Sequence, residues 1–444
     1  MVRTSPWGAP LLLGALSVAL LSQGAYYPRT QLVVAGLLAA ALLVRSEWGV
    51  LSGNRFVLAP AAGLAGWVVT DAALHSKLLT AVPYLALLAG MLVVLGTCAR
   101  LDTAARDLVL TGLLGCGVLL ALLGWLGLAL HLSRWTWQGQ GLWRASSTLT
   151  YPNATAVLLA MLALVTLARL TQTPRSSFLA LSATVLLVGL AATLSRAGML
   201  ALAVGVLVLA VARGPGMLAR AGWGSAFGAA VAALGLVPAM TASGPRPVPA
   251  GVALAAGLAI SAGAPAVRWG RGAAAGLAGL ALVASVPGWA GVTAITGVRL
   301  TVDDPERAAS FSAALRAFGN SPLIGAGPDL PTLTWSSGTG TSVYRYAHNE
   351  YLQVLAELGI VGGVLLATML ATVLGRLWRS CRAGGAASAG ALAAVTALAV
   401  HAGFDFIWHI PAIPLVAAAL IGLASPDLLP VSNTQRTGET SRKE

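Results

Sequence analysis

The sequence predicts an all-α, polytopic integral membrane protein of about 12–14 transmembrane helices, with a large extracytoplasmic loop that carries an amphipathic helix. Three observations predict it. Of 444 residues, 57% are hydrophobic and only 9% charged, whereas soluble domains average about 25% charged. Apolar runs of roughly 17–25 residues, long enough to cross the hydrocarbon core, recur along the chain. Basic residues also pair up on alternate connections, as they do on the cytoplasmic side of multi-span proteins.

The elements follow in order. The run 9–24 lacks a small-residue cleavage site and is followed at once by 30–45, so it reads as a retained helix rather than a signal peptide. Runs at 56–73, 80–98 and 108–130 come next, with Arg55, Arg100 and Arg106 on the inner side. Arg169, Arg175, Arg213 and Arg220 mark the inner turns among 154–168, 177–194, 197–212 and 223–241. The run 248–264 is rich in Gly and Pro, and 272–296 follows it. After a long polar stretch, 350–374, 386–404 and 410–425 complete the set. The reading is one transmembrane domain over 1–426, both termini cytoplasmic, and a disordered cytoplasmic tail over 427–444.

The net charge of +13 is explained by basic pairs meeting anionic lipid headgroups. Nucleic-acid binding needs a basic patch or a known module, and neither is present. Cys98, Cys116 and Cys381 form no metal spacing or disulfide framework and read as packing residues.

Polar chemistry collects on the outer face. All five histidines, His75, His131, His348, His401 and His409, fall at or close to it. The loop at about 297–349 is far longer than the others, and connections without a role are seldom this long. Within it, 305–319 opens with Pro305 and reads as an amphipathic helix with Phe311, Leu315 and Phe318 on one stripe, suited to resting on the bilayer and covering a lateral opening between spans. The segment Asn320-Ser321-Pro322-Leu323-Ile324-Gly325-Ala326-Gly327 has two readings. Its glycines let backbone N–H groups approach a ligand, or they serve plain turn geometry; a phosphate loop would also need a lysine and a flanking strand.

Where the loop re-enters the membrane stands His348-Asn349-Glu350-Tyr351-Leu352, and helical spacing continues through Leu355, Ala356, Gly359 and Ile360. His348 then sits at a helix start, beside the positive helix end, and is suited to accept a proton. Capping the helix or anchoring the interface is the other reading. Arg196 lies in Thr193-Leu194-Ser195-Arg196-Ala197-Gly198, between two apolar runs with almost no loop. Such an arginine snorkels, pairs with an acid, or holds an anionic headgroup. Its planar fork matches phosphate oxygens, and a lipid pyrophosphate is the fitting ligand class. Arg144 leads toward Tyr151-Pro152-Asn153, where Pro152 and Asn153 start a helix, and it can reach the same outer cavity. His401, Asp405 and His409 recur every fourth residue and share a face if the helix there is continuous, although Pro411 and Pro414 argue for a break soon after. They are metal-capable residue types, but no fourth ligand is evident, so hydrogen bonding into the site or interface anchoring is expected and no metal is assigned.

These pieces together resemble the O-antigen ligase/polymerase family of bacterial membrane proteins. The matching motifs are Tyr151-Pro152-Asn153, Leu194-Ser195-Arg196-Ala197-Gly198, Arg307 in the loop helix, Ser321 to Gly327, His348 to Leu352, and Glu357-Leu358-Gly359-Ile360-Val361-Gly362. The resemblance covers roughly 140–425. It implies a glycosyltransferase that moves a glycan from a polyprenyl-diphosphate carrier to an acceptor hydroxyl of a glycan, lipid or protein, on the outer face of the cytoplasmic membrane, without metal or cofactor. Carried over residue by residue, His348 is the base, and Arg196 and Arg307 hold the diphosphate with Arg144 beside them. Asn349, Glu350, Tyr351, Asn153, Asp405 and His401 support the site; Arg316 has only local physical support. A polysaccharide polymerase of the same family is one alternative. A transporter or flippase of an anionic lipid-linked substrate is another, although alternating access favours ionisable groups near the midplane.

Overall fold

The computed structural model describes residues 7–44, 55–241, 244–263, 292, 295–297, 305–329, 333–337 and 340–424. Among the described residues, seven helices are long and apolar enough to cross a membrane, and six shorter apolar helices accompany them. The protein is an all-α, multi-pass membrane protein. Its apolar helices are α1 (Gly8–Leu21), α2 (Pro28–Val44), α3 (Arg55–Leu74), α4 (Val82–Ala99), α5 (Thr103–Leu130), α6 (Pro152–Leu170), α7 (Ser177–Ala192), α8 (Arg196–Arg213), α9 (Pro215–Thr241) and α10 (Pro247–Gly263). The loop helix α11 (Pro305–Asn320) follows, then α12 (Glu350–Arg382), α13 (Ala386–Ala402) and α14 (Ala412–Ala424). Among the described residues there are also two short hairpins, β1 (Thr136–Gly139) with β2 (Leu142–Ala145) and β3 (Leu333–Ser337) with β4 (Gly340–Tyr344).

The predicted spans reappear with small shifts. Hydropathy sees only the apolar part of a helix, so polar turns lengthen several of them. Asp102 caps α5 by accepting from Ala105 N at 2.8 Å, which starts it at Thr103. Pro215 opens α9, where a missing N–H costs nothing. The predicted span 272–296, apart from 292 and 295–296, and the predicted tail lie outside the described residues.

Helix α6 is the pillar of the bundle. Within it, 94% of the residues are buried, and it packs on α7, α8 and α13. A helix that is apolar all round belongs in an interior. Lipid offers little hydrophobic drive for helix association, so close packing of small residues does the work. At the α9–α10 crossing, a Cβ on either Gly228 or Gly257 would meet the other's backbone.

The long helix α12 kinks at Gly359 (φ 64°, ψ −167°). Carbonyls exposed by a kink must find partners inside the protein, because lipid supplies none. Three in succession do so. Ala326 N donates to Ala356 O at 2.9 Å, Gly327 N to Glu357 O at 3.0 Å, and the Trp67 indole to Leu358 O at 2.9 Å. In return, Ile360 N donates to Pro322 O at 2.9 Å. The 320–327 segment is therefore a splice clamped onto the kink. Its N–H groups are spent on the chain itself, which resolves its two readings in favour of backbone geometry.

Loop helix α11 forms over the predicted range and packs on the protein through a face other than the stripe assigned to the bilayer. Ala313 and Ala314, with Ala317 beside them, pack against Leu333, Ala347 and Ala356, while Leu315 is 52% exposed. Small side chains let α11 approach α12 closely. Ser310 Oγ then donates to Ala347 O at 3.1 Å, fastening the helix to the residue before His348.

The helix is not continuous through His401, Asp405 and His409, so the condition for their sharing one face is not met. Helix α13 ends at Ala402, and the chain turns through Asp405 into a single 3-10 turn, Ile407–His409, before α14. Pro411 restricts the residue before it to extended conformations, which favours this break. The buried Glu350 at the start of α12 pins the connection: it accepts from Trp408 N, and its Oε2 lies 3.2 Å from His409 Nδ1. Burial pulls the His409 imidazole down, but the charge and hydrogen bond of Glu350 outweigh it and raise its pKa.

Two outcomes test this architecture. Gly359→Ala and Gly325→Ala each place a Cβ against backbone at a positive φ, and each is expected to destabilise the fold by about 1–3 kcal/mol. Gly375→Ala, in open space, serves as the neutral control; melting of the purified variants reads all three. A raised pKa means that the protonated His409–Glu350 pair stabilises fully below the ordinary histidine value and is lost as pH rises through the raised one. The melting difference between wild type and His409→Gln should therefore be largest in mild acid and shrink toward alkaline pH.

Candidate active site at the starts of α6, α8 and α12

Three helices enter the site by the same local turn. The residue before each N-cap is left-handed: Thr150 (φ 57°) before α6, Leu194 (φ 50°) before α8 and His348 (φ 49°) before α12. The N-caps Tyr151, Ser195 and Asn349 are extended. Ser195 Oγ accepts from Gly198 N at 3.2 Å, and Asn349 Oδ1 accepts from Tyr351 N and Leu352 N at 3.0 and 3.1 Å. A left-handed non-glycine residue costs about 1–2 kcal/mol, and such strain gathers at functional sites. These turns bring Tyr151, Arg196 and His348 to helix starts, where the peptide dipoles point their positive ends.

Asp405 is the common acceptor. Its carboxylate has no exposed surface. Oδ1 lies 3.1 Å from His348 Nδ1 and accepts Phe406 N at 2.9 Å. The Tyr151 hydroxyl donates to both oxygens, at 2.8 and 2.7 Å, and Asn153 Nδ2 donates to Oδ2. Arg307 Nη2 stands 3.8 Å from Oδ2. Burial opposes ionisation of Asp405, but the hydrogen bond and charge of His348, the Tyr151 hydroxyl and the Arg307 charge prevail, lowering its pKa to about 2. Burial and the Asp405 charge push the Tyr151 hydroxyl well above its usual value, so it remains a donor.

An ionised carboxylate only accepts hydrogen bonds, so His348 Nδ1 carries the proton in this pair. In the neutral ring, Nε2 is then the basic nitrogen. The His348 side chain keeps 31% of its surface exposed and Arg307 keeps 28%, so both are reachable. The His348 ring also meets Phe406 edge-on at 4.9 Å. Beside it Tyr151, Phe406, Tyr346 and His409 form a continuous ring stack.

The other predicted site residues divide. Arg144 is buried and braces the site: Nε donates to Thr193 O at 2.8 Å and Nη2 to Asn153 Oδ1 at 2.9 Å. Arg196 is half-buried at the first position of α8, three residues beyond Thr193. Glu350 fastens the α13–α14 connection to α12, and the Tyr351 hydroxyl donates to Ala399 O in α13 at 2.6 Å. His401 is fully buried, and neither ring nitrogen finds a hydrogen-bond partner among the described residues. Arg316 reaches away, to Thr334 O at 3.4 Å in the second hairpin. Sequence spacing had grouped Asp405 with His401 and His409; the structure gives it to His348 and Arg307 instead. The centrality of Asp405, and Tyr151 as its donor, left no signal beyond an acid among apolar residues.

A cavity of about 950 Å³ runs alongside. Arg345, Tyr346, Glu350 and His409 line its polar part, and α2, α3, α4, α12 and α14 supply apolar walls such as Leu38, Leu64 and Leu415. The region thus combines an oriented imidazole, arginines and room for an apolar chain, a combination suited to proton acceptance from a hydroxyl beside a bound anion.

A search of the curated proteins returns no match. A family model described as O-antigen ligase matches residues 181–367. That stretch contains Arg196, Arg307 and His348, while Arg144, Asn153 and Asp405 lie outside it. Residues 181–367 thus carry an O-antigen ligase family domain, the family whose motifs the sequence resembles.

Proposed function

We propose that the protein transfers a glycan from a polyprenyl-diphosphate carrier to an acceptor hydroxyl on the extracytoplasmic face of the cytoplasmic membrane. The observation that carries this reading is the His348 Nδ1–Asp405 pair at 3.1 Å with Arg307 on the same carboxylate. A base and a cation are thereby held within one assembly, as glycosyl transfer with a diphosphate leaving group requires.

In the proposed reaction the acceptor oxygen attacks the anomeric carbon of the first sugar. Its proton passes to His348 Nε2, and the imidazolium that forms is stabilised by ionised Asp405. The bond between the anomeric carbon and the phosphate oxygen breaks, and the electron pair leaves with the polyprenyl diphosphate. Arg307 and Arg196 offset that developing charge, the role a fixed cation plays best in a water-poor site. The positive starts of α6, α8 and α12 support the same anion. Arg144 acts through Thr193 and Asn153, keeping the α8 turn and Asp405 in register. The apolar cavity suits the polyprenyl tail. A single displacement inverts the anomeric centre. The acceptor decides between ligase and polymerase: a finished glycan moved to a different molecule is ligation, and extension of a like glycan is polymerisation.

The test is transfer by purified protein in nanodiscs, from polyprenyl-diphosphate oligosaccharide to a panel of acceptors. Wild type should give product of inverted anomeric configuration, and His348→Ala should lose about 10²–10⁴ in kcat with unchanged folding. Retained activity in His348→Ala, or a retained configuration, contradicts the mechanism. Arg307→Gln is expected to lower kcat by about 10²–10³ through loss of leaving-group stabilisation. A rise in KM with kcat unchanged would instead assign Arg307 to ground-state binding alone.

A further inference from the structure

The β1–β2 hairpin is preorganised and leads into the site. Its two-residue turn, Gln140 (φ 54°) and Gly141 (φ 73°), has the positive φ pair that fits the twist of a tight hairpin. Trp143 stacks on His131 at 4.2 Å, and His131 Nε2 bonds Ala239 O at 2.8 Å. The strands are thereby tied to the ends of α5 and α9.

On the opposite face of the hairpin, Trp137 pairs across the strands with Arg144. The guanidinium carbon of Arg144 lies 5.5 Å from the indole centroid, and the ring runs along its own strand so closely that a Cβ on Gly139 would strike it. Arg144 is buried, yet Trp137 is 44% exposed. Gln140, in the turn, is also exposed. From the underside of the indole, a short chain of contacts leads to the candidate base: Arg144 to Asn153, Asn153 to Asp405, Asp405 to His348.

We propose that Trp137, with the exposed Gln140 of the turn near it, is a binding platform for sugar residues of the donor glycan, a role that rests on the glycan-transfer reading above. A pyranose presents a C–H face to an aromatic ring and hydroxyls at its rim; an exposed indole with a turn amide near it meets both needs. A fixed indole loses little conformational freedom on binding. The donor, rather than the acceptor, is favoured by Arg144. The same side chain that underlies Trp137 also holds Thr193 O at 2.8 Å, in the turn that leads into Arg196. A glycan whose diphosphate lies at Arg196 begins beside this hairpin.

The test compares wild type, Trp137→Ala and Trp137→Phe in nanodiscs for binding of two probes. One is undecaprenyl diphosphate; the other is the lipid-linked oligosaccharide extracted from membranes of the native host. Wild type should bind the oligosaccharide-bearing lipid about tenfold more tightly than the bare one. Trp137→Ala should bind the two alike, and Trp137→Phe should keep part of the gain. If Trp137→Ala weakens both probes in equal ratio, or lowers the melting temperature, the indole is a cover for Arg144 and the platform is refuted. If only the acceptor KM rises, the sugar recognised is the acceptor's and the donor assignment is overturned. A wild type that transfers but gains nothing from the glycan refutes the platform alone; one that neither binds nor transfers from either lipid refutes the glycan-transfer reading itself.

Discussion

A carboxylate without exposed surface, beside a membrane-spanning bundle, is costly unless donors surround it. Asp405 is surrounded by the Tyr151 hydroxyl, Asn153 Nδ2, Phe406 N, His348 Nδ1 and Arg307. These groups come from the start of α6, the α13–α14 connection, the residue ahead of α12 and the loop helix α11. The charge of Asp405 thus fixes where four separate elements meet. The geometry of the candidate site and the packing at this end of the bundle therefore have a single electrostatic origin.

Around that centre the backbone is held in conformations a free chain would avoid. Thr150, Leu194 and His348 take up left-handed angles before three helix starts, and α12 kinks at Gly359. Each is compensated locally. Caps at Ser195 and Asn349 satisfy helix N–H groups. The 320–327 splice and Trp67 collect the kink's carbonyls. Ser310 ties α11 to Ala347. In the proposed reaction this rigidity aims His348 Nε2 at the acceptor while Arg307 faces the leaving diphosphate.

Much of the fold was legible in the sequence because lipid imposes a strong rule: a crossing helix must be apolar over a fixed length. The spans from 9–24 through 248–264, and 350–374 through 410–425, reappear within a few residues except where a polar turn extends a helix, as at Pro215 in α9 and Arg382 in α12. The site was legible as residue types and less so as partners. His348 and Arg196 stood out as polar groups beside apolar runs, and Arg307 entered through the family motifs. Their relations depend on turns with no hydropathic signature, so Asp405 was grouped with histidines four residues away rather than with one 57 residues distant. The face by which α11 packs on the protein was hidden for a related reason. Apolarity marks Phe311, Leu315 and Phe318, but close helix packing selects the small Ser310, Ala313 and Ala314.

The most direct test of this account is the protonation of the His348 ring, read by ¹⁵N NMR of histidine-labelled protein in nanodiscs, with a His348→Gln variant to assign the signal. The account predicts a neutral ring, at a pH where transfer proceeds, with the proton on Nδ1, hydrogen-bonded to Asp405, and Nε2 bare. A proton on Nε2 with Nδ1 bare would contradict it, because the nitrogen needed by the acceptor would be occupied and Asp405 would not orient the base.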